Sequence, residues 1–269
     1  MQATGGLARV PATWPQDTGR PPKDEVALTW LGHATVLIEM DGRRVITDPL
    51  LRRHVGPFVR VAPPAPAPAS VDCALVSHLH PGHADLPTLR TLARTGPLLV
   101  PSHSAQWLRA KGVTDVTEMV PAQTTNVAGL VVRATRARHD GRRHAFGPTA
   151  TPLGFLVQGG ATVYFAGNTK TFAEMADLRG RVDIALVSVE DCHLVRRRDH
   201  LTPEEAAATV ALIDPAVAVP IHWGTLSLGG AARIGGHRHA PAREFAVHVH
   251  RYAPHVDVRI LEPTQRIVL

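Results

Sequence analysis

A histidine-rich loop after a short apolar run constrains this chain more than any other feature. The sequence SHLHPGHAD, residues 77–85, directly follows CALV, residues 73–76. The apolar run predicts a buried strand over 71–76, and Pro81 and Gly82 end it. Loops at strand ends present side chains from a rigid scaffold, and clustered neutral imidazoles are common ligands of transition metals. The loop therefore predicts a metal site at the end of a strand.

Composition predicts one α/β domain. The chain has 269 residues, of which 44% are hydrophobic and 19% charged, enough for one sizeable core. We expect residues 1–22, which lack an apolar signal segment, to form a tail or surface strap, and residues 23–269 to form the domain. No apolar run is long enough to cross a bilayer. Because the two cysteines, Cys73 and Cys192, do not suggest a disulfide framework, we expect a cytoplasmic protein.

The charge of the chain leaves two interpretations open. Its formal net charge is +6, but the basic residues are scattered and lack interleaved aromatics, so a nucleic-acid partner is not expected. Arginines nevertheless surround His139 (residues 133, 136, 138, 142 and 143) and precede His200 (residues 196–198). If these loops face the metal site, they favour an anionic small-molecule substrate. Otherwise they are solvated loop charges.

Hydrophobic periodicity predicts mixed α/β structure, with strands prominent early in the chain. Strands are predicted at 26–30, 36–40, 44–47, 71–76, 98–100, 116–120, 130–135, 153–158, 162–166, 184–187, 216–219 and 256–261. Helices are predicted at 85–94, 102–111, 171–178, 202–213 and 242–252. The sequence TPEE at 202–205 is a capping box with proline at the first helical position. This pattern favours two mixed sheets packed together with helices outside.

Several ordered segments resemble the metallo-β-lactamase superfamily. The spacing in 77–85 matches its H-x-H-x-D-H-x-D signature except at Gly82. Further matching segments are TWLGHAT (29–35), DP (48–49), RHDGR (138–142), YFAGNT (164–169), HLTPEEA (200–206) and PIHWGT (220–225). They resemble the branch of ascorbate-6-phosphate lactonases and of the phospholipase D that hydrolyses N-acyl-phosphatidylethanolamine. The resemblance implies a four-layer αββα sandwich of two mixed β-sheets flanked by helices.

The resemblance also implies roles for individual residues. His78, His80 and His139 match ligands of a first metal site, and His83 and His222 match ligands of a second. Asn168 stands where the superfamily has an aspartate that bridges both metals, and Gly82 where the second site has its own aspartate. Two further residues are predicted to be catalytic: His200, near the substrate, and Asp85, which supports the site.

The two replacements favour one tightly held metal over two. Neighbouring divalent ions repel each other, and anionic ligands normally offset that repulsion. Three histidines with an open position suit catalytic zinc, although manganese or iron are alternatives. We expect the second site to be weak, vacant or rebuilt, with Glu190, Asp191, Cys192 and His193 as possible replacement ligands. We interpret His33 as structural and Asp48 as stabilising a turn behind the site.

Two functions remain open. The first is a metal-dependent hydrolase, in which metal-bound hydroxide attacks a phosphoester, a phosphodiester or a lactone and His200 assists the leaving group. The second is a degenerate relative that binds an anionic ligand or catalyses a non-hydrolytic step. The loss of two carboxylates favours the second function, and the five remaining metal-type histidines favour the first.

Overall fold

Two seven-stranded β-sheets form the centre of the protein. A computed structural model describes residues 25–189, 200–229 and 236–269. In chain order the strands are β1 (Val26–Gly32), β2 (Thr35–Met40), β3 (Arg43–Thr47), β4 (His54–Val55), β5 (Phe58–Arg60), β6 (Cys73–Leu75), β7 (Leu98–Pro101), β8 (Val116–Met119), β9 (Thr124–Val127), β10 (Leu130–Arg136), β11 (Leu153–Gln158), β12 (Thr162–Phe165), β13 (Ile184–Ser188), β14 (Val217–Ile221), β15 (Leu226–Leu228), β16 (Asp257–Val258) and β17 (Arg266–Val268). The α-helices are α1 (Leu86–Leu92), α2 (Ala105–Ala110), α3 (Pro203–Ile213) and α4 (Ala240–Tyr252), and two 3₁₀ helices cover Ala173–Leu178 and Gly236–His239.

Both large sheets mix parallel and antiparallel pairs. The first has the order β17-β1-β2-β3-β6-β7-β8, and the second β16-β14-β13-β12-β11-β10-β9. β3, β6, β7 and β8 run parallel, as do β12, β13, β14 and β16. Parallel neighbours bring their carboxyl ends to one edge of a sheet, where loops can carry functional residues.

Alternating side chains bury both faces of the first sheet. On β2, Val36 and Ile38 join the core between the sheets, where Phe155 of the second sheet also lies. Leu37, between them, joins a separate apolar cluster with Leu89 of α1. This period-two pattern is what a strand buried on both faces requires.

Helices cover the two outer faces. α1 and α2 contribute to the outer cluster of the first sheet, and α3 and α4 pack on β13 and β14 of the second. The predicted αββα sandwich is therefore confirmed. Among the described residues, no helix has both the length and the apolar content that a membrane span requires.

The capping box predicted at Thr202 is present. The Thr202 hydroxyl accepts from the Glu205 amide at 3.2 Å, and the Glu205 carboxylate accepts from the Thr202 amide at 2.9 Å. These bonds satisfy amides that a helix start leaves unpaired. They fix the start of α3 just after His200.

Some predicted boundaries are wrong. The helix predicted from 102 begins at Ala105, because the Ser104 hydroxyl donates to the Pro101 carbonyl and holds a turn there. The strand predicted at 256–261 is only Asp257–Val258. The chain then turns at Thr264, whose φ is +75°, and β17 crosses to pair with β1 in the other sheet.

The sequence patterns missed β9 and a three-stranded sheet of the order β15-β5-β4. The strands of that small sheet have two or three residues each, too few to show a period. The predicted tail, residues 1–22, lies outside the described residues.

Candidate metal centre

Loops at strand ends bring most of the predicted site residues together. His33 lies in the β1–β2 turn, and Asp48 follows β3. The histidine loop follows β6, His139 follows β10, Asn168 follows β12, His222 follows β14, and His200 precedes α3.

His78, His80 and His139 converge on one point. His78 Nε2 lies 3.0 Å from His80 Nδ1, and His139 Nε2 lies 3.2 Å from the same atom. His78 is fully buried, and the other two are half-buried. We call these residues the first triad. Three ring nitrogens this close can share one cation, with a position left open on the exposed side.

A second group of imidazoles lies beside the first. His83, His222 and His33 place ring nitrogens within 4.8 Å of one another, and we call them the second triad. His83 Nε2 and His222 Nε2 are 3.3 Å apart. The His33 ring centroid lies 3.9 Å from that of His222. The sequence suggested a structural role for His33, and its ring also lies among these imidazoles.

Asn168 and His200 lie between the triads. Asn168 Nδ2 is 3.0 Å from His200 Nε2 and 3.2 Å from His83 Nε2. The His200 ring centroid lies 4.8 Å from that of His139 and 5.9 Å from that of His222. His200 is only 9% exposed, so it faces the interior of the site.

Asp48 is a buried carboxylate connected to both triads. Its Oδ2 accepts from His83 Nδ1 and from the Ser77 hydroxyl, each at 2.6 Å. The same hydroxyl lies 2.9 Å from His78 Nδ1. Because Ser77 donates to Asp48, it accepts from His78. Both imidazoles then carry their proton on Nδ1 and direct an unprotonated Nε2 into the site, as metal-binding histidines do.

Burial keeps the histidines neutral. It is the largest cause that lowers the pKa of His33, His78 and His83 well below the usual value, and neighbouring imidazoles lower it further. Burial also raises the pKa of Asp48, while hydrogen bonds from Ser77 oppose that rise. Neutral imidazoles have the free electron pairs that a cation requires.

The donor set fits a divalent cation. Within the described part of the chain, the buried Oδ1 of Asn168 has no hydrogen-bond partner, although such atoms are normally satisfied. Amide oxygen and nitrogen are assigned from the surrounding network, so a rotated amide directs its oxygen at the imidazole nitrogens. A cation among these atoms would supply the missing partner.

Asp85 is buried at the end of the histidine loop. It caps α1 by accepting from Thr88, and it forms a bidentate ion pair with Arg52 at 2.8–3.1 Å. Its carboxylate thus anchors the end of the histidine loop at the start of α1, and its predicted role in catalysis stays a prediction.

The arginines near His139 have mostly structural contacts. Arg143 donates to the carbonyls of Leu79 and Ala84, and so connects the His139 loop to the histidine loop. Arg136 pairs with Glu174 on the surface. The arginines at 196–198 and the possible ligands Glu190, Asp191, Cys192 and His193 lie outside the described residues.

Comparisons with known proteins identify relatives of this chain. A family model described as a β-lactamase superfamily domain matches residues 43–223. A UPF0173 metal-dependent hydrolase of Methanopyrus kandleri is 34% identical over 209 residues, 74% of this chain and 84% of that protein. An uncharacterized protein of Mycobacterium tuberculosis is 32% identical over 222 residues, 76% of this chain. The chain spans about 60% of the length of that mycobacterial relative.

Solved structures share the fold. Igni18, a metallo hydrolase of Ignicoccus hospitalis, superposes with a TM-score of 0.69 at 21% identity, over 91% of this chain and 98% of its own. CmlA, a diiron β-hydroxylase of Streptomyces venezuelae, gives a TM-score of 0.67 at 20% identity, over 93% of this chain and 54% of its own. At these identities the likeness establishes architecture alone.

Proposed function

The chain belongs to the metallo-β-lactamase superfamily, and we propose that it is a metal-dependent hydrolase whose first cation is held by His78, His80 and His139. The observation that carries this proposal is the convergence of three ring nitrogens from two separate loops. The relative from Methanopyrus kandleri, named a metal-dependent hydrolase, supports it. Zinc suits three histidines with an open position, and manganese and iron are alternatives.

Hydrolysis needs an activated water and a polarised substrate. A divalent cation in the first triad would supply both, since it lowers the pKa of water and withdraws electrons from a carbonyl or phosphoryl oxygen. The chain's own contribution is to hold the three imidazoles in position and to keep His78, the fully buried one, neutral, because burial lowers its pKa well below the usual value. Ser77 does this for His78, because its hydroxyl fixes the proton on Nδ1.

We assign His200 to the leaving group. Its ring lies between His139 and His222, within reach of a substrate seated over the triads. A histidine can donate a proton to a departing oxygen near neutral pH, and such assistance is typically worth about 10²- to 10⁴-fold in rate. Asn168, 3.0 Å away, orients that ring.

The charge of the centre favours an anionic small molecule. The first triad consists of imidazoles, so a cation held there would keep more of its positive charge than one with carboxylate ligands. Asp48 lies behind the ligands and is occupied by Ser77 and His83. A phosphoester, a phosphodiester or a lactone opening to a carboxylate would complement that charge.

The test is turnover by protein reconstituted with zinc, manganese or iron. Substrates are bis(p-nitrophenyl) phosphate, p-nitrophenyl phosphate and a series of lactones. We expect turnover that is lost with a chelator, restored by metal, and absent in His80→Ala. His250→Ala, an exposed histidine on α4, is the control and should match the parent protein.

Failure of this test has a defined meaning. If the protein binds metal but turns over none of these substrates, hydrolysis of these bonds is refuted. The alternative, a relative that binds an anionic ligand or catalyses a non-hydrolytic step, would then account for the site.

A further inference from the structure

We propose that His33, His83 and His222 form a second divalent-cation site, and that His33 occupies the space left by the missing side chain of Gly82. The inference rests on the proposed function for the cation in the first triad. It revises the expectation of a single ion. The ligand that Gly82 cannot provide is supplied by a histidine from a different loop, the turn between β1 and β2.

The packing of the rings supports this site. Ring centroids are 3.9 Å apart for His33 and His222, 4.9 Å for His33 and His83, and 5.2 Å for His83 and His222. His83 is 3% and His222 8% exposed. Ring nitrogens from all three lie within 4.8 Å of one another, a spacing that one cation can bridge at ordinary ligand distances.

Gly82 gives independent evidence. A Cβ atom placed on Gly82 would lie 2.8 Å from His33 Nε2, closer than real Cβ contacts. The Gly82 backbone is not in the left-handed region, so its conformation would accept a side chain. The imidazole of His33, rather than backbone strain, excludes one. The ring thus lies where a side chain from residue 82 would begin.

The backbone holds His33 in this place. Its amide donates to Thr225 Oγ1 at 2.7 Å, and its carbonyl accepts from the His222 amide at 2.8 Å. His33 and His222 both have left-handed backbones, with φ of +54° and +67°. Residues other than glycine rarely adopt this conformation, and such strain concentrates at functional sites. The loops of two proposed ligands therefore hold each other in position.

Charge indicates which triad binds more tightly. Asp48 is fully buried behind His83. Its carboxylate accepts a hydrogen bond from His83 Nδ1 and so places an anion next to the second triad. Arg60 acts against it, since this buried guanidinium donates to the carbonyl of Leu31, two residues before His33, and to the carbonyl of Leu50. With that guanidinium nearby, the second site should fill after the first.

The test counts zinc ions in protein purified without a histidine tag, by elemental analysis and by titration against a chromophoric chelator. We expect about two ions per chain in the parent and about one in His33→Asn. Asparagine tolerates the left-handed backbone, so this variant should fold, and circular dichroism checks that it does. His80→Ala should lose the tighter ion.

A rescue variant makes the test specific. In Gly82→Asp alone the new side chain collides with His33, and this variant should hold no more zinc than the parent. Combined with His33→Asn, the same change has room and should restore the second ion. One ion in both the parent and His33→Asn overturns this inference and leaves the proposed function standing. No ion in the parent overturns the proposed function itself.

Discussion

Replacing Asp48 with asparagine should weaken metal binding while the fold persists. The carboxylate accepts three hydrogen bonds of 2.6 Å: Oδ1 from the Ser77 amide, and Oδ2 from the Ser77 hydroxyl and His83 Nδ1. Asparagine keeps one acceptor oxygen and presents an NH₂ group in place of the other. If the oxygen stays with the Ser77 amide, the NH₂ faces His83 Nδ1, which must then move its proton to Nε2. A protonated Nε2 is no longer a ligand.

The expected magnitude follows from that loss of orientation. Loss of a carboxylate that orients a metal-binding histidine typically weakens affinity by about 10- to 100-fold, equivalent to ~1.4–2.8 kcal/mol. The metal-free protein should lose less stability, because the variant also removes a buried charge whose pKa burial raises. The variant should therefore reduce the stabilisation by zinc more than the stability of the metal-free protein.

Competition with a chromophoric chelator measures the affinity for zinc, and thermal unfolding with and without zinc measures how much zinc stabilises the fold. The control is Asp72→Asn, whose carboxylate accepts from the Arg44 amide at 2.9 Å away from the site; it should leave affinity unchanged. Zinc affinity of Asp48→Asn equal to that of the parent would refute the proposed role of Asp48 in orienting the ligands.

Three further predictions concern turnover, pH and the fold. His200→Asn should lower kcat by about 10²- to 10⁴-fold with unchanged zinc content; equal loss of both would contradict its assignment to the leaving group. Metal-free protein should lose stability in urea melts as the pH falls below the usual histidine pKa of 6.5, because the unfolded chain takes up protons that the buried His33, His78 and His83 refuse. The raised pKa of Asp48 acts in the opposite sense, penalising the fold as the pH rises above 3.8. Because three histidines act against this one carboxylate, a free energy of unfolding that stays constant from pH 8 to 5 would contradict the lowered pKa values of the histidines. Thr202→Ala should cost about 1 kcal/mol in thermal unfolding without changing zinc content, and an unchanged melting temperature would show that the capping box contributes nothing.

Local patterns were sufficient for most of the framework. The continuous apolar run in β2 and the capping box at Thr202 both depend on residues a few positions apart, so their signals are present in the sequence. The first triad could also be predicted from the sequence, since His78 and His80 share one loop and His139 lies in a segment that resembles the superfamily. The strand over 256–261 failed because an apolar stretch does not encode its partner, and β17 pairs with β1 across the whole chain.

The second triad could not be predicted because its evidence is tertiary. His33 and His222 are 189 positions apart, and only the folded chain shows that their loops bond to each other. The absence of a side chain at Gly82 suggested a lost ligand, but the sequence alone could not show that an imidazole fills the space. The connection of Asp48 to both triads likewise depends on two strand ends meeting at one edge of a sheet.

Anomalous diffraction at the zinc edge, from crystals of the zinc-loaded protein, tests the central claim directly. The account predicts a peak bonded to His78 Nε2, His80 Nδ1 and His139 Nε2, each at about 2.0–2.1 Å. Zinc bound only elsewhere, with these three rings turned away from a common point, would contradict it.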